Sequence, residues 1–293
     1  MTSQQFVDHL SDQGILLWAD EHAGHLHCEG PVGALSASVQ EEIRHRKGAL
    51  VDYIGAKQQA TPSFAEERIW AAQQLAPEAG MYNMPVVVEL EGHLDIPTLG
   101  RAVEYLESRH EALRTRYQSV DGQPRPEVDE VGQTELAIID LAGRGDAAVQ
   151  VAAEWRRRLA LQAFDLARDP LWRVVLLRLG PARHQLVMVL HHIVADRQSI
   201  EILLTELDVA YRAFQAGDAV ALPPLPSRYR EFAYRTRQRM SGDALVSATQ
   251  AGKERLASSR PLVIGPPRPD HEGMRFRGGV HTRSLSSVLR HRV

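Results

Sequence analysis

Cysteine is almost absent, since Cys28 is alone among 293 residues; this excludes an internal disulfide and any metal site built from several cysteines. The chain also lacks a large excess of either charge, because 34 basic and 37 acidic residues leave a net charge of −3. A general nucleic-acid binder needs an excess of basic residues. No apolar run approaches the roughly 20 residues that span a bilayer. The first residues lack the basic and apolar segments of a secretory signal. We therefore expect a cytoplasmic protein that binds neither nucleic acid nor membrane.

The composition is otherwise that of a globular protein, with 44% hydrophobic and 24% charged residues. From Ser63 onward, helical and strand-like segments alternate. Residues 84–90 and 185–190 are rich in strand-forming residues, and a helical spacing of apolar residues begins at Leu99. Another apolar helical stripe follows Ser199, which we predict as its N-cap, and Gly217 is predicted to end it. The alternation predicts an α/β fold in which strands pack against helices.

The first 57 residues predict a separate small unit. Apolar residues at helical spacing come first, and two apolar stretches at 15–18 and 25–28 flank a turn-like segment, which is typical of a hairpin. Ser36 then occupies an N-cap position before a helix or helix pair. A unit with so little core gains stability by pairing with something, unless it only decorates the main domain. Residues 58–62 are polar and end in Pro62, so we predict a linker there.

The chemistry-bearing residues follow the strand at 185–190. This strand is apolar on both faces, which predicts a central position in its sheet, and it leads directly into His191 and His192, with Asp196 shortly after. An imidazole is the natural proton acceptor near pH 7, because its unperturbed pKa is about 6.5. The same residues also fit two other interpretations: histidines satisfied within a core, or a metal site formed by His191, His192 and Asp196.

Residues 191–196 resemble the His-His-x-x-x-Asp-Gly core motif of condensation domains from nonribosomal peptide synthetases, which belong to the chloramphenicol acetyltransferase-like superfamily. Five other segments resemble family motifs in family order. They are residues 63–70 (Ser-x-Ala-Gln-x-Arg-Leu-Trp, with Glu66 in place of Gln), 82–85 (Tyr-Asn-x-Pro), 109–115 (Arg-His-Glu-x-Leu-Arg-Thr), 164–173 (Phe-Asp-Leu…Pro-Leu-x-Arg) and 229–233 (Tyr-x-Asp-Phe-Ala).

This resemblance covers about residues 61–290 and implies a chloramphenicol acetyltransferase-like α/β sandwich. It assigns residues 63–293 to the N-terminal lobe of a condensation domain and the start of the crossover, with the C-terminal lobe absent. The N-terminal unit, residues 1–57, separately resembles a TubC-type docking domain, through residues 16–18, the hairpin and residues 33–36. The family resemblance implies that this unit binds a short C-terminal segment of an upstream synthetase subunit. An exposed hairpin edge is able to accept such a segment as an added strand.

A condensation domain joins two carrier-bound thioesters through an amide bond, so the resemblance implies donor and acceptor carrier proteins as partners. Their phosphopantetheine arms act as tethers, and neither a cofactor nor a metal is expected to bind this chain. By the same resemblance, His192 takes the proton from the attacking amine or orients that amine, and His191 shapes the turn. Asp196 is a structural partner, for which we predict Arg114 as the cation, because a buried carboxylate needs pairing.

Two departures from the family pattern bear on activity. Arg197 replaces the motif glycine, and we expect it to be strained if this position needs a positive φ, and otherwise to pair with Asp196 or narrow the channel. The later Gly-x-x-x-Asn-Thr motif is absent. Besides an enzyme part, the sequence therefore permits a truncated, non-catalytic docking fragment, a free-standing acyltransferase that uses coenzyme A thioesters, and a metal hydrolase.

Overall fold

The computed structural model of the chain describes residues 1–20 and 24–260. The predicted crossover segment from residue 261 onward lies outside these residues. The helices are α1 (Ser3–Asp12), α2 (Ala37–His45), α3 (Lys47–Ala60), α4 (Phe64–Leu75), α5 (Ile96–Arg109), α6 (Ala148–Leu161), α7 (Arg197–Ala216), α8 (Tyr229–Arg239) and α9 (Gly242–Leu256). The strands are β1 (Leu16–Asp20), β2 (His25–Glu29), β3 (Asn83–Glu91), β4 (Thr115–Val120), β5 (Gln123–Val128), β6 (Leu136–Asp140), β7 (Trp172–Gly180) and β8 (Arg183–His191).

A four-stranded sheet with the order β3-β8-β7-β6 forms the centre of the described part of the larger domain. The pairs β3–β8 and β8–β7 are antiparallel, and β6 runs parallel to β7. Strand β8 therefore has a neighbour on each side, and all of its residues after Arg183 are buried. This confirms the prediction that the strand before the two histidines is central, and the mixed layers confirm the predicted α/β class.

The alternation of side chains along the sheet divides the core between its two faces. On one face, Leu186, Met188 and Leu190 of β8 pack against apolar residues of α5 and α7. On the other face, Val187 and Val189 pack with α4 and α6. The two helical layers cover the sheet on both sides, so β8 emerges from a well-packed core. Nowhere in residues 1–20 and 24–260 is a helix long and apolar enough to cross a membrane.

The N-terminal unit consists of α1, the β1–β2 hairpin, α2 and α3, as the sequence predicts. Ser36 caps α2 by accepting a hydrogen bond from the main-chain N–H of Val39. The apolar side chains of these elements form a core of their own, which also includes one residue of α8. Its buried members are Phe6, Val7, Leu10, Ile15, Leu17, Ala19, Ile43, Leu50, Ile54 and Tyr234.

Gln58 closes the free edge of β1. Its side-chain amide donates to the carbonyl oxygen of Ala19 at 2.9 Å, and its Oε1 accepts the N–H of Ala19 at 2.7 Å. The amide thus takes the place of a neighbouring strand, and Gln58 is only 3% exposed. For this reason α3 continues through the first part of the predicted linker at 58–62, and only Thr61 and Pro62 separate α3 from Ser63, the N-cap of α4.

Two elements do not follow from the sequence patterns. The β4–β5 hairpin is an isolated antiparallel ribbon, and its second strand contains Pro124 and Pro126, which argue against a strand inside a sheet. Each strand of a two-stranded ribbon has one edge without a partner strand. A proline whose nitrogen lies on that edge removes no hydrogen bond between the two strands. Helix α9 has no buried residue, so it lacks the apolar stripe by which amphipathic helices are predicted.

A buried ion pair joins α4 to α8 near the loop that follows β8. Glu66 of α4 contacts Arg230 of α8, and their side chains are 1% and 3% exposed. The same carboxylate accepts the hydroxyl of Tyr117 and, at 2.6 Å, the N–H of Ser63. Burial and the charge of Glu66 raise the pKa of Tyr117 well above its usual value, so this phenol remains a donor. Its hydroxyl also lies 3.5 Å from the carbonyl oxygen of Ile193, in the loop after β8.

We predict that Glu66→Gln destabilises the protein by about 3 kcal/mol, although glutamine stands at this position in the motif that the segment resembles, because the buried guanidinium of Arg230 then loses the carboxylate with which it is directly paired. The matched control is Glu67→Gln on the next residue, whose carboxylate pairs with Arg237 and is 38% exposed; it should cost less than about 1 kcal/mol. Urea unfolding measures both. Equal losses in the two variants would contradict the prediction.

Candidate active site at the end of strand β8

His191 is the last residue of β8, and its side chain turns into the core. It has the same parity as Val187 and Val189, so it faces the layer of α4 and α6. Its ring packs near the rings of Tyr82 and Phe164, with centroid separations of 6.1 and 5.9 Å. The residue is 1% exposed. The interpretation of adjacent core histidines thus fits the first of the pair.

The protonation of His191 follows from this burial. Burial lowers its pKa to about 4, and the positive charges of His192 and Arg173 act in the same direction. Its Nδ1 accepts the main-chain N–H of Ile193 at 3.2 Å, and its Nε2 has no hydrogen-bond partner among the described residues. His191 is therefore a neutral ring at physiological pH, and its Nδ1 is bonded to the main chain of the turn that follows β8.

His192, the first residue beyond β8, lies on the exposed surface. Its main-chain N–H donates to the carbonyl oxygen of Tyr82 at 2.8 Å. Its Nδ1 lies 2.8 Å from the carbonyl oxygen of Ala195. A carbonyl oxygen only accepts, so Nδ1 carries the hydrogen and the neutral ring has its lone pair on Nε2. Two main-chain contacts thus fix both the position and the tautomer of this imidazole.

Asn83 supports this arrangement, and sequence reasoning assigned it no role beyond the Tyr-Asn-x-Pro resemblance. Its side-chain amide donates to the carbonyl oxygens of Ala160 and Gln162, at 2.8 and 2.9 Å. These carbonyls belong to the C-terminal end of α6, where the last carbonyls have no partner within the helix, and that of Gln162 also accepts from Arg173 at 2.8 Å. Asn83 therefore holds the start of β3 against α6. The adjacent carbonyl of Tyr82, which receives the N–H of His192, is held with it.

Asp196 caps α7 instead of contacting either histidine. Its Oδ1 accepts the N–H of Ser199 at 2.8 Å and the hydroxyl of Ser199 at 2.7 Å, while that hydroxyl also accepts the N–H of Asp196. These hydrogen bonds from Ser199 hold the pKa of Asp196 below its usual value. The N-cap predicted at Ser199 was three residues too late, because serine occupies the N3 position of a capping box whose N-cap is the aspartate.

The predicted ion pair between Asp196 and Arg114 is not formed. Arg114 donates to the main-chain carbonyl of Asp129 at the base of the β4–β5 hairpin, while Asp196 is exposed and uses its side chain to cap its own helix. A carboxylate at the surface has no need of a buried cation. Sequence spacing did not reveal this, since the partner of Asp196 lies three residues away and the partner of Arg114 lies across the hairpin.

Arg197 is not strained. It is the first residue of α7, and Asp121 is the only non-glycine residue with a positive φ in the described ranges. Its side chain is 93% exposed and forms an ion pair at 3.4 Å with Glu201, one turn along the helix. The expected pairing with Asp196 is therefore not observed, and replacement of the motif glycine requires no distortion of the backbone.

The three candidate metal ligands do not converge. The Nδ1 atoms of His191 and His192 are both engaged with the main chain, and the carboxylate of Asp196 caps a helix. In the part of the chain that the structure describes, no group of three metal-ligating side chains is close enough to hold an ion. The geometry instead leaves Nε2 of the exposed His192 as the imidazole nitrogen available to accept a proton.

We predict that Asp196→Ala destabilises the protein by about 1 kcal/mol, the usual effect of removing an N-cap side chain, and that Asp196→Asn retains most of that stability. Asp208→Ala, which removes an exposed ion pair within the same helix, is the control and should cost less than half as much. Chemical denaturation compares the three variants. A loss of about 3–5 kcal/mol in Asp196→Ala would contradict the capping role, because it would be typical of a broken buried ion pair.

Comparison with known proteins identifies both parts of the chain. Residues 56–291 match the family model of the Condensation domain, and residues 4–55 match the TubC N-terminal docking domain. A linear gramicidin synthase protein of Brevibacillus parabrevis is 32% identical over 276 residues, which cover 93% of this chain and 3% of that protein. Phosphinothricin tripeptide synthetase PhsB of Streptomyces viridochromogenes is 35% identical over 223 residues, which cover 74% and 18%. The chain thus spans a small part of the length of these relatives.

Solved structures share the fold. The starter condensation domain of rhizomide synthetase superimposes with a TM-score of 0.63 and 22% identity, over 69% of this chain and 49% of that chain. The first condensation domain of the CDA synthetase gives 0.60 and 24%, over 68% and 50%. At these identities the likeness establishes the chloramphenicol acetyltransferase-like fold, and this chain spans about half of each matched structure. Together with the family match over residues 56–291, it shows that the chain belongs to the condensation-domain family of nonribosomal peptide synthetases and carries a TubC-type docking domain in residues 4–55.

Proposed function

We propose that this chain provides the docking domain and the first lobe of a condensation domain that forms an amide bond between two carrier-bound acyl groups. The observation that carries the proposal is the presentation of His192. Its Nδ1–H is held by the Ala195 carbonyl, which leaves the lone pair on Nε2 of an exposed residue directly after a buried central strand. Family membership supplies the reaction class, and the fixed imidazole supplies the group that such a reaction needs.

The proposed reaction is attack of the acceptor amine on the carbonyl carbon of the donor thioester. Free α-amino groups have pKa values near 8, so a sizeable fraction is neutral at physiological pH. Nε2 of His192 accepts a hydrogen bond from the amine, which directs the nitrogen lone pair toward the carbonyl, and takes the proton as the C–N bond forms. The C–S bond then breaks, and the imidazolium returns the proton to the departing thiolate. The products are an amide and a free thiol.

The substrates arrive on carrier proteins, and their phosphopantetheine arms remain attached to those carriers. Holding the two reactants together in this way makes an otherwise bimolecular step effectively unimolecular. This lowers the activation barrier by up to about 7–11 kcal/mol. In this proposal His191 and Asp196 act as positioning residues. The neutral, buried ring of His191 braces the turn, and Asp196 fixes the start of α7 directly after the His192 loop. Arg114 supports the adjacent hairpin and does not touch the site.

The proposed upstream partner is the C-terminal segment of a preceding synthetase subunit, which we place along β2. Gln58 occupies the edge of β1, whereas in the described residues β2 has only β1 as a neighbour. Its unpaired N–H and C=O groups are able to accept an extended peptide as a third strand. The cytoplasm, where synthetase subunits would meet their carriers, remains our prediction for the location.

The test is amide formation by the synthetase protein that carries this chain, supplied with donor and acceptor carrier proteins bearing aminoacyl thioesters. We predict that His192→Ala lowers the rate of product formation by about 10²- to 10⁴-fold, because it removes the proton acceptor. His93→Ala is the matched control. It replaces an exposed histidine that follows β3 at the opposite end of the sheet, and it should leave the rate unchanged. Mass spectrometry of the acceptor carrier measures the product.

Other outcomes of this assay would contradict the proposal. Equal rates in wild type and His192→Ala would remove His192 from the chemistry. Acylation from coenzyme A thioesters without any carrier protein would indicate a free-standing acyltransferase. Binding of an upstream C-terminal peptide without product in any arm would leave a docking fragment as the function.

A further inference from the structure

Helix α8 belongs to both domains. Its first turn is fixed in the condensation lobe, where the N–H of Arg230 donates to Glu111 at 3.0 Å and its guanidinium pairs with Glu66. One turn later, Tyr234 is 8% exposed and lies in the core of the docking domain. Burial raises the pKa of Tyr234 to about 12, in keeping with its place among apolar side chains. One short helix therefore contributes its first turn to the lobe and its middle to the core of the docking domain.

Polar contacts continue along the second half of α8. The guanidinium of Arg235 lies 4.3 Å from the centroid of the Trp18 ring on β1, and Arg239 pairs with Glu29 of β2 at 2.6 Å. The charges suit each other as well, since residues 1–57 contain eight acidic and four basic residues, whereas α8 contains four basic residues and one acidic residue. Opposite net charges favour the packing of the docking domain against α8.

The connection between the domains is also held by α8. Only Thr61 and Pro62 lie between the end of α3 and the N-cap of α4. The carbonyl oxygen of Thr61 accepts from Arg230 at 3.2 Å, and that of Pro62 accepts from Arg237 at 2.9 Å. A flexible linker leaves its carbonyls to water. Here both are bonded to side chains of the lobe.

From these contacts we propose that α8 fixes the docking domain on the condensation lobe in one orientation and completes the docking domain's hydrophobic core. The docking domain is then a rigid extension of the lobe and not a tethered module. A consequence, which rests on the proposed function, is that an upstream segment bound along β2 has a constant position relative to His192. The fixation itself is argued from the α8 contacts of Arg230, Tyr234, Arg235, Arg237 and Arg239 and involves no substrate.

Hydrogen exchange with mass spectrometry on the full chain tests the proposal without any substrate. In Tyr234→Ala, amides of residues 1–60 should exchange at least about tenfold faster than in wild type, because their core loses a buried ring, while amides of β8 keep their protection. Arg235→Ala leaves the core intact and removes the contact with Trp18 together with an ion pair to Glu231 inside α8, so a smaller acceleration of about threefold is expected in the same region. Arg212→Ala, which breaks an exposed ion pair on α7, is the matched control and should change neither region.

Wild-type exchange of residues 1–60 in both Tyr234→Ala and Arg235→Ala would show that the docking domain is stable without α8 and would overturn the proposal. Acceleration confined to β7 and β8 would overturn it too, because the perturbed unit would then be the lobe alone. The exchange measurement involves no carrier protein. A result that overturns the fixation of the docking domain is therefore distinguishable from a failure of the proposed amide formation.

Discussion

The hydrogen bond from Nδ1 of His192 to the carbonyl oxygen of Ala195 is the constraint on which the proposed chemistry depends. An imidazole free to rotate would offer either nitrogen, in either tautomer, to an approaching amine. The carbonyl selects one tautomer and leaves Nε2 as the acceptor. The carbonyl oxygen of Ala195 is a main-chain atom in the loop between β8 and α7. The orientation of the His192 ring is therefore as stable as that loop. His191, Asp196 and Tyr82 matter through the loop, and none of them bonds to the imidazole of His192.

The loop is in turn supported from below by a buried ion pair. Glu66 and Arg230 connect α4 to α8, and Tyr117 extends the same network to within 3.5 Å of the Ile193 carbonyl. Charged groups this deeply buried are stable only when each has its partner, so separation of α4 from α8 would leave two buried charges unpaired. The second half of α8 then carries the docking domain. The docking domain, for which we propose an upstream partner, and the loop that presents His192 are thereby connected to the same buried network.

The sequence predicted the elements with a strong local pattern, and it failed where the decisive partner was remote or lacked such a pattern. The apolar strand leading into His191 and His192 was found because β8 is buried on both faces. Asp196 was singled out by the motif, yet its partner was misassigned, since an aspartate suits both a capping box and a buried ion pair. Gln58 was assigned to a polar linker because its local sequence is polar and its hydrogen-bond partner, Ala19, is 39 residues away. No periodicity in the sequence reports such a contact.

The tautomer of His192 is the most direct test of this account. Nitrogen-15 NMR of the full chain with labelled histidines, recorded at mildly alkaline pH, separates a protonated ring nitrogen from a bare one, and comparison with His192→Ala assigns the signals. We predict hydrogen on Nδ1 and a bare Nε2. Hydrogen on Nε2, or signals that average over the two tautomers, would contradict the claim that the Ala195 carbonyl fixes the ring, and with it the proposed role of His192 as the acceptor of the amine proton.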